Sequence, residues 1–422
     1  MNVSISHAWR ALKNRNFRLF FIGQGISVIG TWMTRVATSW LVYRLTGSAL
    51  LLGIVSFSSQ IVPFVLQPVA GAWVERINRQ KLLICTQAAA SIQSFILTVL
   101  TLRHIITIHE VIMLSIIQGL ITAFDAPGRN SFFVQMIEDR NDLGNAIALN
   151  STVVNCARLV GPALAGIIIG LAGEGGCFLI DAISYLAVIL SLCLMKIQTV
   201  EAASSVDNLS KQMREGWDYV CSFIPIRTIL LLIIIICLVG YPYMVLLPIF
   251  AARILHGGPY TVGWLTGASG FGALVSALSL AVRKTVVGLT HMLQVSSAIL
   301  GIALILFGCS HLLPLSLLLM VLAGFGMMQS TSASNMIIQT LVPEDKRARV
   351  ISYYAMAFFG SAPLGSLLAG ALAQKIGAPN TIIITGSMCL LGSFWFTLQM
   401  PKVHSIIRPI YQEMGLIPVK PT

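Results

Sequence analysis

The side chains best suited to chemistry are charged residues inside long apolar stretches. Asp125 and Arg129 lie four positions apart, so they share one face of a helix, and Pro127 between them removes a backbone hydrogen bond. Inside a lipid bilayer a charge costs at least about 2.5 kcal/mol unless it is paired or hydrated. We expect Asp125 to bind and release a proton, with Arg129 favouring its charged form until substrate competes for the arginine. The alternative is that the two charges neutralise each other and that the pair only fixes helix packing.

Two further cations stand alone in apolar stretches. Arg35 could contact an anionic substrate, whereas Arg158 could pair with Asp125 or with Asp181, which we place at the outer start of a later stretch. Either arginine could instead extend its charged end to the membrane surface. Neutral polar residues suited to hydrogen bonding and stacking are the other candidate substrate contacts. They are Gln118, Tyr241, Tyr243, Gln329 and Asn335.

The stretches that position these residues are predicted to be membrane-spanning helices. Of the 422 residues, 56% are hydrophobic and only 10% are charged, against about 25% charged residues in soluble proteins. The apolar runs are continuous rather than alternating in polarity, and a spanning helix needs about 20 such residues. We predict an all-α polytopic membrane protein with twelve spans, at residues 17–43, 50–73, 82–102, 110–136, 143–172, 177–195, 228–252, 260–282, 288–310, 314–341, 350–373 and 380–400.

One sizeable polar segment divides the chain into two halves. The predicted parts are an N-terminal six-helix bundle at residues 1–195, a cytoplasmic linker with an amphipathic helix at 196–227, a second six-helix bundle at 228–401 and a cytoplasmic tail at 402–422. Pro162 and Pro363 stand at matching positions of the halves. The two bundles are therefore predicted to be pseudo-symmetric.

The net charge of +12 is interpreted as an orientation signal. In this topology 20 of the 27 Lys and Arg residues fall on the side of both termini, 4 on the other side and 3 within spans. Because cytoplasmic loops carry the excess of Lys and Arg, both termini are predicted to be cytoplasmic. No nucleic-acid partner is needed to explain the charge. The eight scattered cysteines indicate neither a zinc site nor a disulfide framework, and we predict no metal or cofactor.

The loop between the second and third spans carries a recognisable signature. Residues 71–81 read GAWVERINRQK, similar to the pattern G-x-x-x-D-R-x-G-R-[K/R], and the matching positions are Gly71, Glu75, Arg76 and Arg79. With twelve spans in two halves, this loop resembles that of the major facilitator superfamily. The resemblance implies a cytoplasmic latch in which Glu75 caps the start of span 11 and pairs with the arginines. Asn78 replaces a glycine of the pattern, which is a mild change because asparagine is the non-glycine residue that most readily adopts a left-handed turn. An ordinary basic cytoplasmic loop is the alternative.

Span 5 carries a second resemblance. Residues 157–166 read ARLVGPALAG, similar to the antiporter pattern G-x-x-x-G-P-x-x-G-G, with matches at Gly161, Pro162 and Gly166. Small residues let helices approach closely, and simple helix packing is the alternative interpretation. The arginine that drug exporters of the superfamily often carry in span 4 is replaced by Ser115. The span 5 pattern favours export, while import and uniport stay open.

Residues 12–20 and 40–49 resemble the branch of the superfamily that includes bacterial enterobactin exporters and macrolide efflux proteins. This resemblance implies an exporter of a siderophore or another amphipathic small molecule in the bacterial inner membrane. We expect it to be a lipid-embedded monomer, to couple export to protons and to work by alternating access. An anionic siderophore would suit the arginines. Multidrug or macrolide efflux and lysophospholipid flipping on the same fold are the alternatives. The Gly-Ala-Ser-Gly run at 267–270 fits a rhomboid-type protease, but no histidine is placed to activate the serine, so no enzyme is predicted.

Overall fold

The computed structural model describes residues 10–74, 77–137, 142–195, 209–283 and 285–417, and in these ranges the chain is nearly all-helical, without a β-strand. In lipid, helices satisfy every backbone polar group internally, which suits such apolar stretches. A short 3₁₀ turn at Arg10–Lys13 precedes the long helices. In chain order these are α1 Arg15–Thr46, α2 Ala49–Val74, α3 Arg79–Leu102, α4 Ile108–Gln135, α5 Leu143–Leu194, α6 Leu209–Ser222, α7 Ile224–Ile254, α8 Pro259–Ala281, α9 Leu289–Gly308, α10 Leu313–Leu341, α11 Glu344–Ile376 and α12 Ala378–Glu413.

Ten helices in the described ranges are long and apolar enough to cross a membrane. One of them, α5, breaks at Gly173, whose φ of 71° and ψ of 179° are readily adopted only by glycine. Its segments at residues 143–172 and 174–194 correspond to predicted spans 5 and 6. Helix α1 corresponds to predicted span 1 but is not among the ten. The predicted all-α, multi-span architecture is confirmed, whereas the number twelve stays a prediction.

Helix α7 contains two stretches of wider, π-helical turns. They lie at Ile236–Gly240 and Phe250–Ile254, next to Pro242 and Pro248 respectively. Proline has no amide hydrogen to donate, so the helix around it changes its hydrogen-bond pattern. The Tyr241 amide accordingly donates to the carbonyl of Ile236, five residues back, at 3.0 Å.

Helix α12 ends 13 residues beyond the predicted end of span 12 at residue 400. Its last turns bury Val403, Ile407 and Tyr411, which lie four residues apart on one face. The prediction stopped at residue 400, before the basic residue Lys402, because hydropathy marks the apolar part of a helix and not its end. Packing of this buried face keeps the helix continuous past Pro401.

The chain forms two compact units. One comprises Met1–Ser205 with Ala251–Gly267, and the other comprises Val206–Phe250 with Ala268–Thr422. In the first unit α1 packs along α5, α2 packs against α4, and α3 contacts both α4 and α5. In the second unit α9 packs against α10 and α12, and α11 contacts α7.

Helix α6 lies within the predicted linker and packs on the start of α11 in the second unit. The Arg349 guanidinium donates to the Glu215 carboxylate at 2.6 Å. The Lys346 ammonium lies 4.8 Å from the centre of the Tyr219 ring, within cation–π range. Burial raises the pKa of the Tyr219 hydroxyl, and the nearby Asp345 carboxylate raises it further. These contacts join the linker helix to the second unit.

Candidate functional site

The ion pair on α4 is the part of the site that the sequence predicted most directly. The Arg129 guanidinium donates to Oδ2 of Asp125, one helical turn earlier. Oδ1 of Asp125 accepts from the Thr86 hydroxyl at 2.9 Å and from the Gln87 amide at 2.7 Å, both on α3. Asp125 is only 7% exposed, and α4 continues through Pro127. Both carboxylate oxygens are thus hydrogen-bonded, as a buried charge requires.

Arg35 and Arg158 lie against the same aromatic ring. The guanidinium carbon of Arg35 is 4.8 Å from the centre of the Trp32 ring, and that of Arg158 is 5.2 Å away. Trp32 is 8% exposed, whereas Arg35 is exposed. Arg158 was expected to pair with Asp125 or Asp181, and the structure places its guanidinium at Trp32. Two predicted cations from α1 and α5 therefore come together at one ring.

A second buried carboxyl group, Asp181, lies inside the first unit. Sequence reasoning placed it at the outer start of span 6, but the second segment of α5 begins earlier, and Asp181 is 1% exposed. Its Oδ2 accepts from the Thr34 hydroxyl at 2.8 Å and from the Ser94 hydroxyl at 3.0 Å. The sequence feature that could have identified this buried site is an acidic residue within an apolar run, together with hydroxyl residues in spans 1 and 3.

Arg44 and Glu174 form an ion pair that the sequence analysis did not anticipate. Nε and Nη2 of Arg44 lie 2.7 Å and 3.2 Å from the two carboxylate oxygens of Glu174, which is 5% exposed. Glu174 follows the break at Gly173 directly. A cavity of about 300 Å³ opens beside the pair, with Trp40 and His104 in its lining. The pair fastens the end of α1 to the broken region of α5.

The glycines of the span 5 motif lie where helices touch. A Cβ atom at Gly161 would come within 2.6 Å of the Trp32 Cβ on α1. One at Gly166 would lie 3.0 Å from the Cα of Tyr260 on α8. Gly263, which sequence reasoning missed, packs on the carbonyl of Pro162. The motif therefore brings α5 close to α1 and to the start of α8.

Gly263→Ala is expected to lower the free energy of unfolding by about 1–3 kcal/mol, the usual cost of overpacking. The new Cβ would lie 2.5 Å from the Pro162 carbonyl oxygen and 3.0 Å from the Gly166 Cα, and backbone atoms cannot easily move aside. Denaturant titration in mixed micelles measures the effect. Gly144→Ala on α5 is the control, since its Cβ would meet nothing within 4 Å. Equal stability of the two variants would contradict the close contact.

The predicted latch is only partly within the described residues, because Glu75 and Arg76 lie outside them. Arg79 is the first residue of α3, and an added Cβ at Gly71 would meet nothing within 4 Å. Asn78 is extended, with φ of −65° and ψ of 109°, and does not form a left-handed turn. Its side chain instead accepts from the Lys81 amide at 3.1 Å, as a helix N-cap.

Two of the predicted substrate contacts lie on α7 in the second unit. The Tyr243 hydroxyl is buried and lies 2.6 Å from the Ser269 hydroxyl on α8. Tyr241 is half-buried, at the π-helical turns. Tyr243 thus contributes to packing between α7 and α8 in this structure.

Two more candidates lie on α10. Gln329 is 1% exposed, and its Oε1 accepts from the hydroxyls of Ser276 at 2.6 Å and Ser279 at 3.2 Å. The Asn335 side chain accepts from the Gln339 amide one turn later at 3.1 Å. Gln118, in the first unit, differs from both: its buried Oε1 atom has no hydrogen-bond partner in the described part of the chain.

Charged side chains inside membrane-crossing helices often mark the pathways of substrates or ions in membrane proteins. The profile of the transmembrane secretion effector family matches residues 6–411. The chain therefore belongs to this family, within the major facilitator superfamily. The predicted superfamily, and the prediction of a transporter and not an enzyme, are confirmed.

The chain is similar to characterised bacterial transporters over most of its length. It is 27% identical to the staphyloferrin A transporter of Staphylococcus aureus, over 90% of this chain and 95% of the relative. It is 25% identical to the multidrug efflux pump Tap of Mycolicibacterium fortuitum, over 86% and 90%. It is 20% identical to macrolide efflux protein A of Streptococcus pyogenes, over 90% and 95%. The prediction of an exporter of this superfamily is confirmed.

Solved transporter structures share the fold. A bacterial homologue of the iron transporter ferroportin, in an inward-facing state, aligns with a TM-score of 0.70 and 15% identity over 91% of this chain and 98% of that one. A bacterial homologue of the lysosomal transporter Spinster, inward-facing and unoccupied, aligns with a TM-score of 0.69 and 13% identity over 94% and 97%. At these identities the likeness establishes the fold alone.

Proposed function

We propose that this protein exports an anionic small molecule of the siderophore class from the bacterial cytoplasm, in exchange for protons and by alternating access. In this proposal it acts as a monomer in the inner membrane with both termini cytoplasmic. The observation that carries the proposal is the pair of cations, Arg35 and Arg158, at the buried ring of Trp32. The similarity to a staphyloferrin A transporter supports the substrate class.

Arg35 is the proposed first contact of the anion. It is exposed and forms no ion pair within the described ranges. A cation–π contact contributes about 0.5–1 kcal/mol at an exposed site, less than a charge-assisted hydrogen bond to a carboxylate or catecholate. An anion can therefore displace the ring as the main partner of the guanidinium. Gln118 supports the proposal as a neutral contact in the same unit.

Asp125 is the proposed proton-coupling group. It is a buried acid whose ion-pair partner, Arg129, lies on the same helix. Uptake of a proton removes the charge that holds the Arg129 guanidinium, so protonation changes the contacts that α4 favours. In the proposed cycle, protonation driven by an inward proton gradient returns the carrier, once it has released its substrate, to the state that accepts substrate. The loop with Gly71, Glu75, Arg76 and Arg79 is the proposed cytoplasmic gate.

Multidrug efflux is a second candidate function, favoured by the similarity to Tap and to macrolide efflux protein A. Lysophospholipid flipping uses the same chemistry, since an arginine that binds a carboxylate also binds a phosphate. The three functions differ in the ligand that the purified protein binds.

Binding of three probes distinguishes these functions. Staphyloferrin A is expected to raise the thermal unfolding midpoint of the purified protein, because a ligand of the native state stabilises it. Arg35→Gln is expected to weaken this binding about tenfold, the loss of one charge-assisted contact. Arg103→Gln, at an exposed arginine of the same unit, is the control. Stabilisation by a macrolide or a lysophospholipid alone would replace the siderophore assignment. If none of the three probes stabilises the protein, the siderophore assignment is contradicted.

A further inference from the structure

The carboxyl group of Asp181 has no role in the function proposed above. It is 1% exposed, and no Lys, Arg or His side chain in the described ranges lies within ion-pair distance of it. Asp125 differs in this respect, because Arg129 neutralises it. We infer that Asp181 is a second proton-binding site of the first unit, held between α1 and α3. A role of this proton in transport rests on the function proposed above.

The two oxygens of the Asp181 carboxyl have different surroundings. Oδ2 accepts from the hydroxyls of Thr34 and Ser94. Oδ1 is buried and has no hydrogen-bond partner among the residues that the structure describes, because the nearby Ser184 hydroxyl donates to the Asp181 backbone carbonyl at 2.7 Å. A carboxylate that leaves one oxygen without a donor loses its hydration without replacement. A proton on Oδ1 removes this charge and leaves Oδ2 free to keep both hydroxyl donors.

Gly30 on α1 leaves the space that Oδ1 occupies. A Cβ atom built there would lie 2.8 Å from Oδ1 and 2.7 Å from the Ser184 hydroxyl oxygen. The oxygen therefore faces the backbone of a packed helix. A larger residue at position 30 would displace it.

The groups around Asp181 show what controls the proton. From α1, the facing residues are the neutral Gly30 and Thr34, and the cation Arg35 directly follows Thr34. From α3, the facing residue is the neutral Ser94. On the same segment of α5, the titratable neighbours are Cys177 and Tyr185, which interact with it electrostatically. Arg35 is thus the only cation among these groups, and removing its charge favours the protonated acid.

Helix α3 connects this site with the Asp125 pair. Gln87 contacts Asp125 and Ser94 contacts Asp181, seven residues apart on one face, which is about 10 Å along a helix. The Oε1 atom of Gln87 is buried and lacks a hydrogen-bond partner within the described ranges. Both proton sites therefore lie against the same polar face of α3.

Infrared spectroscopy of the purified protein, titrated from mildly acidic to alkaline pH without substrate, tests the inference. A protonated carboxyl has a carbonyl stretch apart from the carboxylate and amide bands. We expect such a band in Asp125→Asn, which lacks the other proposed proton-binding carboxyl, but not in the double variant Asp125→Asn with Asp181→Asn. Absence of the band in Asp125→Asn at every pH at which the protein is folded, or its persistence in the double variant, would overturn the inference. Because no substrate is present, the result does not depend on the proposed function.

Two milder variants keep the test decisive if Asp181→Asn fails to fold. Ser94→Ala removes a donor to the charged oxygen, so the band should persist to a pH about one unit higher. Arg35→Gln removes the favourable cation and should act in the same direction. Ser91→Ala, one turn away, is the control, because its hydroxyl donates to the Ala182 carbonyl instead. An identical titration in all three variants would contradict the assignment to Asp181.

Discussion

Arg129→Gln is expected to lower the free energy of unfolding by about 3 kcal/mol, the lower end of the usual cost of removing one partner of a buried ion pair, because the Arg129 side chain is 29% exposed. Asp125 keeps the hydrogen bonds from Thr86 and Gln87 in this variant. It loses the only cation that is paired with it among the described residues. A buried carboxylate without its counter-charge destabilises the packing of α4 against α3.

The double variant Asp125→Asn with Arg129→Gln separates the charge from the packing. Removing both partners leaves no isolated charge, so its stability is expected to lie closer to that of the unmodified protein than to that of Arg129→Gln. Denaturant titration in mixed micelles provides the comparison, with Arg103→Gln as the exposed control. If Arg129→Gln proves as stable as Arg103→Gln, the pair is not buried as the structure has it.

Asp125→Asn is expected to abolish accumulation of substrate driven by a proton gradient, while exchange of substrate across the membrane continues. Asparagine keeps nearly the shape of aspartate but binds no proton, so the gradient has no group to act on at this position. Proteoliposomes allow both quantities to be measured with staphyloferrin A. The proposed anion contact, Arg35, is unchanged in this variant.

Glu344→Gln is the matched control for this variant, because it also neutralises an acid but at an exposed position at the start of α11. It should retain both gradient-driven accumulation and exchange. Full gradient-driven accumulation by Asp125→Asn would remove Asp125 from the coupling mechanism. Loss of exchange as well would show that the substitution damages the carrier rather than its coupling.

Local chemistry made part of the site predictable. Asp125 and Arg129 are neighbours by helix periodicity alone, so four-residue spacing was sufficient to pair them. The hydroxyls that hold Asp181 come from α1 and α3, distant in sequence, and no local pattern identifies them. The surroundings of Gln329 were unpredictable for the same reason, because its amide oxygen is hydrogen-bonded to Ser276 on another helix.

The fold was more predictable than its details. Continuous apolar runs and few charges are enough to predict a multi-span helical protein. The break at Gly173 falls between predicted spans 5 and 6, at a residue that permits backbone angles that others avoid. The capping role of Asn78 was missed, because the comparison with the family pattern considered only the glycine that it replaces, whereas a free helix N-terminus favours asparagine as a cap.

The response of staphyloferrin A flux to an imposed pH gradient tests proton-coupled export most directly. Antiport moves substrate against the direction of proton flow, so vesicles with an acidic lumen should accumulate staphyloferrin A, and vesicles with an alkaline lumen should not. A protonophore should abolish the accumulation. Equal uptake with and without the gradient, or accumulation in the alkaline vesicles, would contradict the proposed function.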